Sequence, residues 1–241
     1  MLLLINKFTE NSLNYVLYQN SVGIICKEEL LDLKMLMFVL LSLLLVGCTP
    51  EMKTITDEKT SPEIKMVTPD EKHLLVDWGS DSMDRGNHDY NSITHSKLVV
   101  NPNYESLERG DVVYYKMIES EIKKNPLIPE DYLGRVVGLP GETVMIRYGH
   151  VYINNDRLDT FYGEATRTGR TEEEYFENND LSGVVDVESV KRYFKTEMNP
   201  IQIKEGTVFV LVDQWWRGTD SKDFGLLPVE RIQGTVLGYS K

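Results

Sequence analysis

Arg135-Val136-Val137-Gly138-Leu139-Pro140-Gly141-Glu142 is the stretch on which the fold turns. Two β-branched residues follow an arginine and run into Leu-Pro-Gly, a strand that ends in a tight turn. The same pattern repeats on both sides of it. Upstream, Arg109-Gly110 precedes the apolar run Asp111–Tyr115, and Lys97–Val100 and Leu74–Trp78 are short apolar runs bounded by turn residues. Downstream, Thr143–Arg147 and Val151–Asn154 flank Tyr148-Gly149-His150, where the glycine can take a positive φ and close a hairpin. Thr207-Val208-Phe209-Val210-Leu211-Val212 is nearly continuously apolar, as expected of a strand buried on both faces, and Thr235-Val236-Leu237 closes the chain. Between Thr160 and Asn199 charges dominate, and Val187–Phe194 can form one short helix. That segment reads as an insertion on a β core rather than a second domain.

Composition narrows the function. The chain has 241 residues, 41% of them hydrophobic, and a net charge of −12. That acidity argues against a nucleic-acid partner, since no basic patch is visible to neutralise phosphates. The only cysteines, Cys26 and Cys48, precede the globular part, and His73, His88, His95 and His150 are scattered. No disulfide framework, metal motif or cofactor motif follows from them.

The N-terminus reads as an address. Met35–Val46 is twelve residues without a charge. A membrane-spanning helix needs about 20, whereas the apolar core of a secretory signal needs about 7–15. It runs into Leu45-Val46-Gly47-Cys48, which resembles a bacterial lipobox with Cys48 as the lipidated residue. Residues 1–32 carry four acidic against two basic residues, which is wrong for the head of a signal peptide. They are expected to be a gene-start error, with Leu33 the true initiation site, residues 33–47 the signal, 48–72 a disordered tether and 73–241 the folded domain. Such a tether, from Cys48 to Ser82, would reach roughly 30 Å.

Four segments in order resemble bacterial signal peptidase I: Ser80-Asp81-Ser82-Met83, Glu108–Val113, Arg135–Glu142 and Val212-Asp213-Gln214 through Asp220-Ser221-Lys222 to Gly225. The third is the most specific. The resemblance implies a mainly β, antiparallel signal peptidase fold, here with a charged α/loop insertion. It also implies a serine nucleophile at Ser82, an oxyanion donor at Ser80, and a structural ion pair between Arg135 and Asp220.

The departures bear on activity. The family's general-base lysine stands immediately before the arginine of the third segment, and Gly134 occupies that place. A serine that supports the lysine amine is replaced by Gly218, and a proline after the nucleophile's methionine by Arg85. Such a lysine must be desolvated and must touch the serine hydroxyl; glycine supplies no base. His88, His95, Lys97 and Lys116 are near in sequence, but each reads as a solvated residue. Trp215 and Trp216 replace polar family positions, as core or as binding surface. The expected protein is a lipid-anchored, catalytically silent relative at the outer face of the bacterial cytoplasmic membrane, binding an extended peptide or a partner protein. The alternative is an active endopeptidase that processes signal peptides with Ser82 and an unidentified base; a surface lipoprotein without any peptide-related role is the third reading.

Overall fold

The structure, a computed structural model, describes residues 53–178 and 186–241. Residues 1–52, including the signal and Cys48, lie outside the described residues.

Among the described residues, thirteen strands form two sheets. The larger contains β2 (Met66–Val67), β3 (Leu74–Val76), β4 (Leu98–Asn101), β5 (Val112–Lys116), β6 (Asp131–Gly138), β11 (Thr207–Leu211), β12 (Leu227–Pro228) and β13 (Ile232–Ser240). Its order is β12-β11-β6-β5-β13-β4-β3, with β2 paired to β13. The smaller contains β1 (Thr54–Thr56), β7 (Thr143–Arg147), β8 (His150–Ile153), β9 (Asp156–Asp159) and β10 (Met198–Gln202), in the order β1-β9-β8-β7-β10. The pairing is antiparallel except for β1 with β9 and β2 with β13. The fold is thus the mainly β one that the strand pattern predicts.

β11 shows how the sequence reaches two cores. Alternate side chains of a strand point to opposite faces. Val208, Val210 and Val212 enter one cluster with Leu133, Val136 and Met83, while Phe209 and Leu211 enter another with Val144, Ile146 and Phe194. A strand with a core on each side must be apolar throughout, as this one is. The β7–β8 hairpin closes through Tyr148 and Gly149 at φ +47° and +73°. His150 belongs to the returning strand, so the turn has two residues rather than three.

The charged insertion forms α2 (Glu172–Asn178) and α3 (Val187–Phe194), after the short α1 (Glu119–Lys124) earlier in the chain. Asp186 caps α3 by accepting the Ser189 N–H at 2.9 Å. Val190 and Phe194, one turn apart, are the buried face of that helix.

The segment before the domain corrects the sequence expectation. Residues 53–72 were expected in a disordered tether, yet β1 and β2 fall within them and extend both sheets. Ile55 packs on one core and Ile64 on the other. The Tyr162 hydroxyl donates to the Asp57 carboxylate at 2.5 Å, and the Pro62 carbonyl accepts from Arg85. At Gly238 a Cβ would lie 2.1 Å from the Lys65 carbonyl oxygen, so only glycine admits this close passage of the strap. Composition underestimates such a segment because strand pairing satisfies its backbone while two isoleucines anchor it.

Candidate active site

After β3 the chain turns through Gly79-Ser80-Asp81-Ser82. Two contacts from one residue fix this loop, and a third ties it to the insertion. Gln214 donates its backbone N–H to the Ser82 carbonyl at 2.9 Å and its side-chain amide to the Asp81 carbonyl at 2.9 Å. Its side-chain oxygen accepts from the backbone of Thr168 in the insertion at 3.2 Å. Arg217 adds an ion pair to Asp81 at 2.6 Å. The Ser80 hydroxyl accepts the Ser82 N–H at 3.3 Å. Ser80 also lines an open cleft of about 560 Å³ with Asp77, Trp78, Tyr114 and Pro129.

Ser82 itself is fully buried, and its Oγ has no hydrogen-bond partner of good geometry among the described residues. The Tyr132 hydroxyl lies close enough to interact with the serine and accepts the Thr219 N–H at 3.2 Å. The Tyr132 hydroxyl is held above its ordinary value by burial.

The two positions that the family fills with base and helper are glycines with little space beside them. A Cβ on Gly134 would sit 3.3 Å from Tyr115 Cε1 and 3.4 Å from Val210 Cβ. A Cβ on Gly218 would sit 2.8 Å from Ser82 Cβ and 2.9 Å from Val212 Cγ1. Tyr115 is fully buried. It neighbours Tyr132 at 6.0 Å between centroids, and Tyr132 in turn packs edge-on against Trp78 at 5.3 Å. Burial pushes the Tyr115 hydroxyl well above its ordinary value, with Tyr132, Asp220 and Asp223 adding to the effect. An aromatic wedge therefore stands where an amine-bearing side chain would start.

The other candidate bases are engaged elsewhere. Lys116 pairs with Asp131 at 2.6 Å and Lys97 with Asp77 at 3.0 Å. His88 is exposed beside Asp84, and His95 contacts the Asn87 carbonyl and the Tyr239 ring.

The predicted Arg135–Asp220 ion pair is corrected. Arg135 forks onto Asp213, with Nε to Oδ1 at 2.7 Å and Nη2 to Oδ2 at 2.6 Å. It also donates to the Gly110 carbonyl at 2.8 Å and the Tyr90 hydroxyl at 3.2 Å. Burial would lower the Arg135 pKa, but the Asp213 carboxylate and the Tyr90 hydroxyl together outweigh it and the group is held above its ordinary value. Asp220 instead caps α4 (Ser221–Phe224) in a reciprocal capping box with Asp223. Its carboxylate binds Lys222 Nζ at 2.5 Å and accepts the Val212 N–H at 3.2 Å. Burial raises the Asp220 pKa, and Lys222 opposes that rise. The physical reason is reach: Asp220 is turned into its own helix start, whereas Asp213 continues directly from β11, which pairs Leu211 with Arg135.

Arg85, read from sequence only as a lost proline, is a second cation on this carboxylate. It lies 3.4 Å from Asp213 and 3.5 Å from Asp89, and its guanidinium stands over Phe161 at 4.6 Å. Trp215 and Trp216 divide between the two roles foreseen: Trp215 is buried and Trp216 is 43% exposed.

Residues 72–239 match the family model described as signal peptidase, peptidase S26. The chain belongs to that family. It is 27% identical to a signal peptidase I of Bacillus licheniformis over 53% of this chain and 56% of that protein. It is 31% identical to the signal peptidase I of Bacillus caldolyticus over 44% of this chain and 52% of that one. The matches thus span about half the length of these relatives. A solved signal peptidase I from Enterococcus faecalis aligns at 21% identity and a TM-score of 0.37, over 55% of this chain and 98% of that one.

Proposed function

We propose that this chain is a signal peptidase-fold protein without peptidase activity, acting by holding an extended peptide or a partner protein. One observation carries the reading: a fully buried Ser82 hydroxyl with no hydrogen-bonded nitrogen base among the described residues. A serine nucleophile needs a neighbouring base to take its proton. Hydrogen bonds at a resting site can be long, but Gly134 has no side chain to bring closer. Binding needs no such chemistry. β3 is the edge strand of the larger sheet, with Leu74 and Leu75 41% and 49% exposed, and strand addition at a sheet edge is a recurring way to hold a peptide.

The reading includes a lipid on Cys48 at the outer face of the bacterial cytoplasmic membrane. The strap is part of the fold, and its first strand begins at Thr54, six positions after Cys48 in the sequence. Family membership favours the alternative, an active endopeptidase with Ser82 as nucleophile and an unidentified base.

Two experiments test the proposal. The purified full chain, incubated with a signal-peptide substrate, is expected to show no cleavage that depends on Ser82. Cleavage abolished by Ser82→Ala would replace this reading with the alternative. Mass spectrometry of the membrane fraction is expected to show an acylated N-terminal Cys48, and an unmodified Cys48 preceded by Met35–Gly47 would remove the anchor.

A further inference from the structure

The insertion carries a guanidinium that the site so far described does not use. Arg167 and Arg170 exchange backbone hydrogen bonds across a two-residue turn, with Thr168 and Gly169 at φ +52° and +74°. Positive φ at both central residues is the tight-hairpin geometry that matches strand twist. The tip is pinned to the serine loop. Thr168 donates its N–H to Gln214, and a Cβ on Gly169 would lie 2.1 Å from the Arg85 carbonyl oxygen. At its base the Tyr193 hydroxyl donates to the Thr166 carbonyl at 2.6 Å.

This rigid hairpin lays Arg167 over the exposed ring of Trp216, with 3.8 Å from guanidinium carbon to ring centroid, and near Tyr175 at 5.0 Å. The Trp216 indole N–H donates to Gln214 at 3.1 Å, which fixes the ring in turn. Among the described residues Arg167 forms no ion pair, whereas Arg217, 5.5 Å from the same ring, is engaged by Asp81. In a chain of net charge −12, a half-buried cation with no ion pair among the described residues is conspicuous.

From this we infer that Arg167 and Trp216 form a receptor for a peptide carboxylate, the Asp or Glu side chain of a bound partner segment. Stacking holds the guanidinium plane and leaves its N–H edge to take a carboxylate in two parallel hydrogen bonds. The hairpin has already fixed the arginine, so little ordering cost falls on binding. Gln214 joins this platform to the Ser82 loop, so the same partner can extend from one to the other. The inference rests on the peptide-binding reading above and names the chemistry of its ligand.

The test follows the Trp216 indole N–H resonance of the full chain during titration with an end-blocked decapeptide of alternating Ala and Glu. A decapeptide with Gln at every Glu position is the control. Saturable shifts are expected from the Glu peptide, with affinity at least about tenfold weaker for the Gln peptide. Arg167→Ala is expected to lose about tenfold, and Arg167→Lys to lose part of that because an ammonium lacks the planar fork. Arg192→Ala, whose residue already faces Asp186, is expected to change nothing. Equal binding of the two peptides, or full affinity in Arg167→Ala, would overturn the carboxylate site while leaving general peptide binding intact. Binding of anionic phospholipid vesicles through Arg167 without peptide binding would overturn it too. Ser82-dependent cleavage, by contrast, would sink the proposed function and leave this site standing.

Discussion

Asp213→Ala should be among the most damaging single substitutions in the protein. Arg135 is 2% exposed, and its charge is met by two short bonds to Asp213. Without them the guanidinium keeps, among the described residues, hydrogen bonds to the Gly110 carbonyl and the Tyr90 hydroxyl and the faces of Phe161 and Tyr162, all neutral. Breaking a buried pair from one side leaves an uncompensated charge and typically costs about 3–5 kcal/mol. Domains are stable by roughly 5–15 kcal/mol, so this is a large share of the total. Arg85 loses its Asp213 contact in the same step. Urea unfolding of the full chain, followed by far-ultraviolet circular dichroism, measures the loss. A double-mutant cycle then assigns the partner: Arg135→Met should couple strongly with Asp213→Leu and by less than about 0.5 kcal/mol with Asp220→Leu. The double replacement Arg135→Met with Asp213→Leu should recover most of the loss, because apolar substitutes for a buried pair are often neutral. A loss below about 1 kcal/mol for Asp213→Ala, or stronger coupling of Arg135 to Asp220, would refute the pairing.

Three further outcomes are expected. Gly218→Ala should destabilise by about 1–3 kcal/mol through overpacking, since its Cβ would stand 2.8 Å from Ser82 Cβ; an unchanged urea midpoint would show that the loop yields freely. Limited proteolysis should spare the chain between Lys53 and Val67 until global unfolding, and Tyr162→Phe, which removes the 2.5 Å bond to Asp57, should cost roughly 1–3 kcal/mol and speed cleavage there. Burial, then Arg157, lowers the His150 pKa below its ordinary 6.5. The unfolded chain therefore takes up that proton first, so this contribution is whole above pH 6.5 and stability falls as pH drops below it. His150→Asn should flatten that part of the pH profile, and an unaltered profile would exclude His150 as its source.

Much of this protein is legible in its sequence because the deciding features are local. Strand alternation, the Leu139-Pro140-Gly141 turn, the two-sided apolar run of β11 and the short helix over Val187–Phe194 depend on neighbours within a few residues. The absence of a base at Gly134 is likewise visible, since a residue without a side chain has no chemistry in any fold. The sequence could not assign partners separated along the chain. Asp213 and Asp220 are both carboxylates in one segment; only the pairing of β11 with β6 and the capping of α4 send the first to Arg135 and the second to its own helix. The strap over residues 53–67 looked like a tether because it is held by strands up to 173 positions away, as where Met66 pairs with Tyr239. The wedge of Tyr115 beside Gly134, and the stacking of Arg167 on Trp216, are likewise products of packing between distant segments. Residue type and period determined the strands; what each buried charge and each exposed ring meets was decided only when the sheets closed on one another.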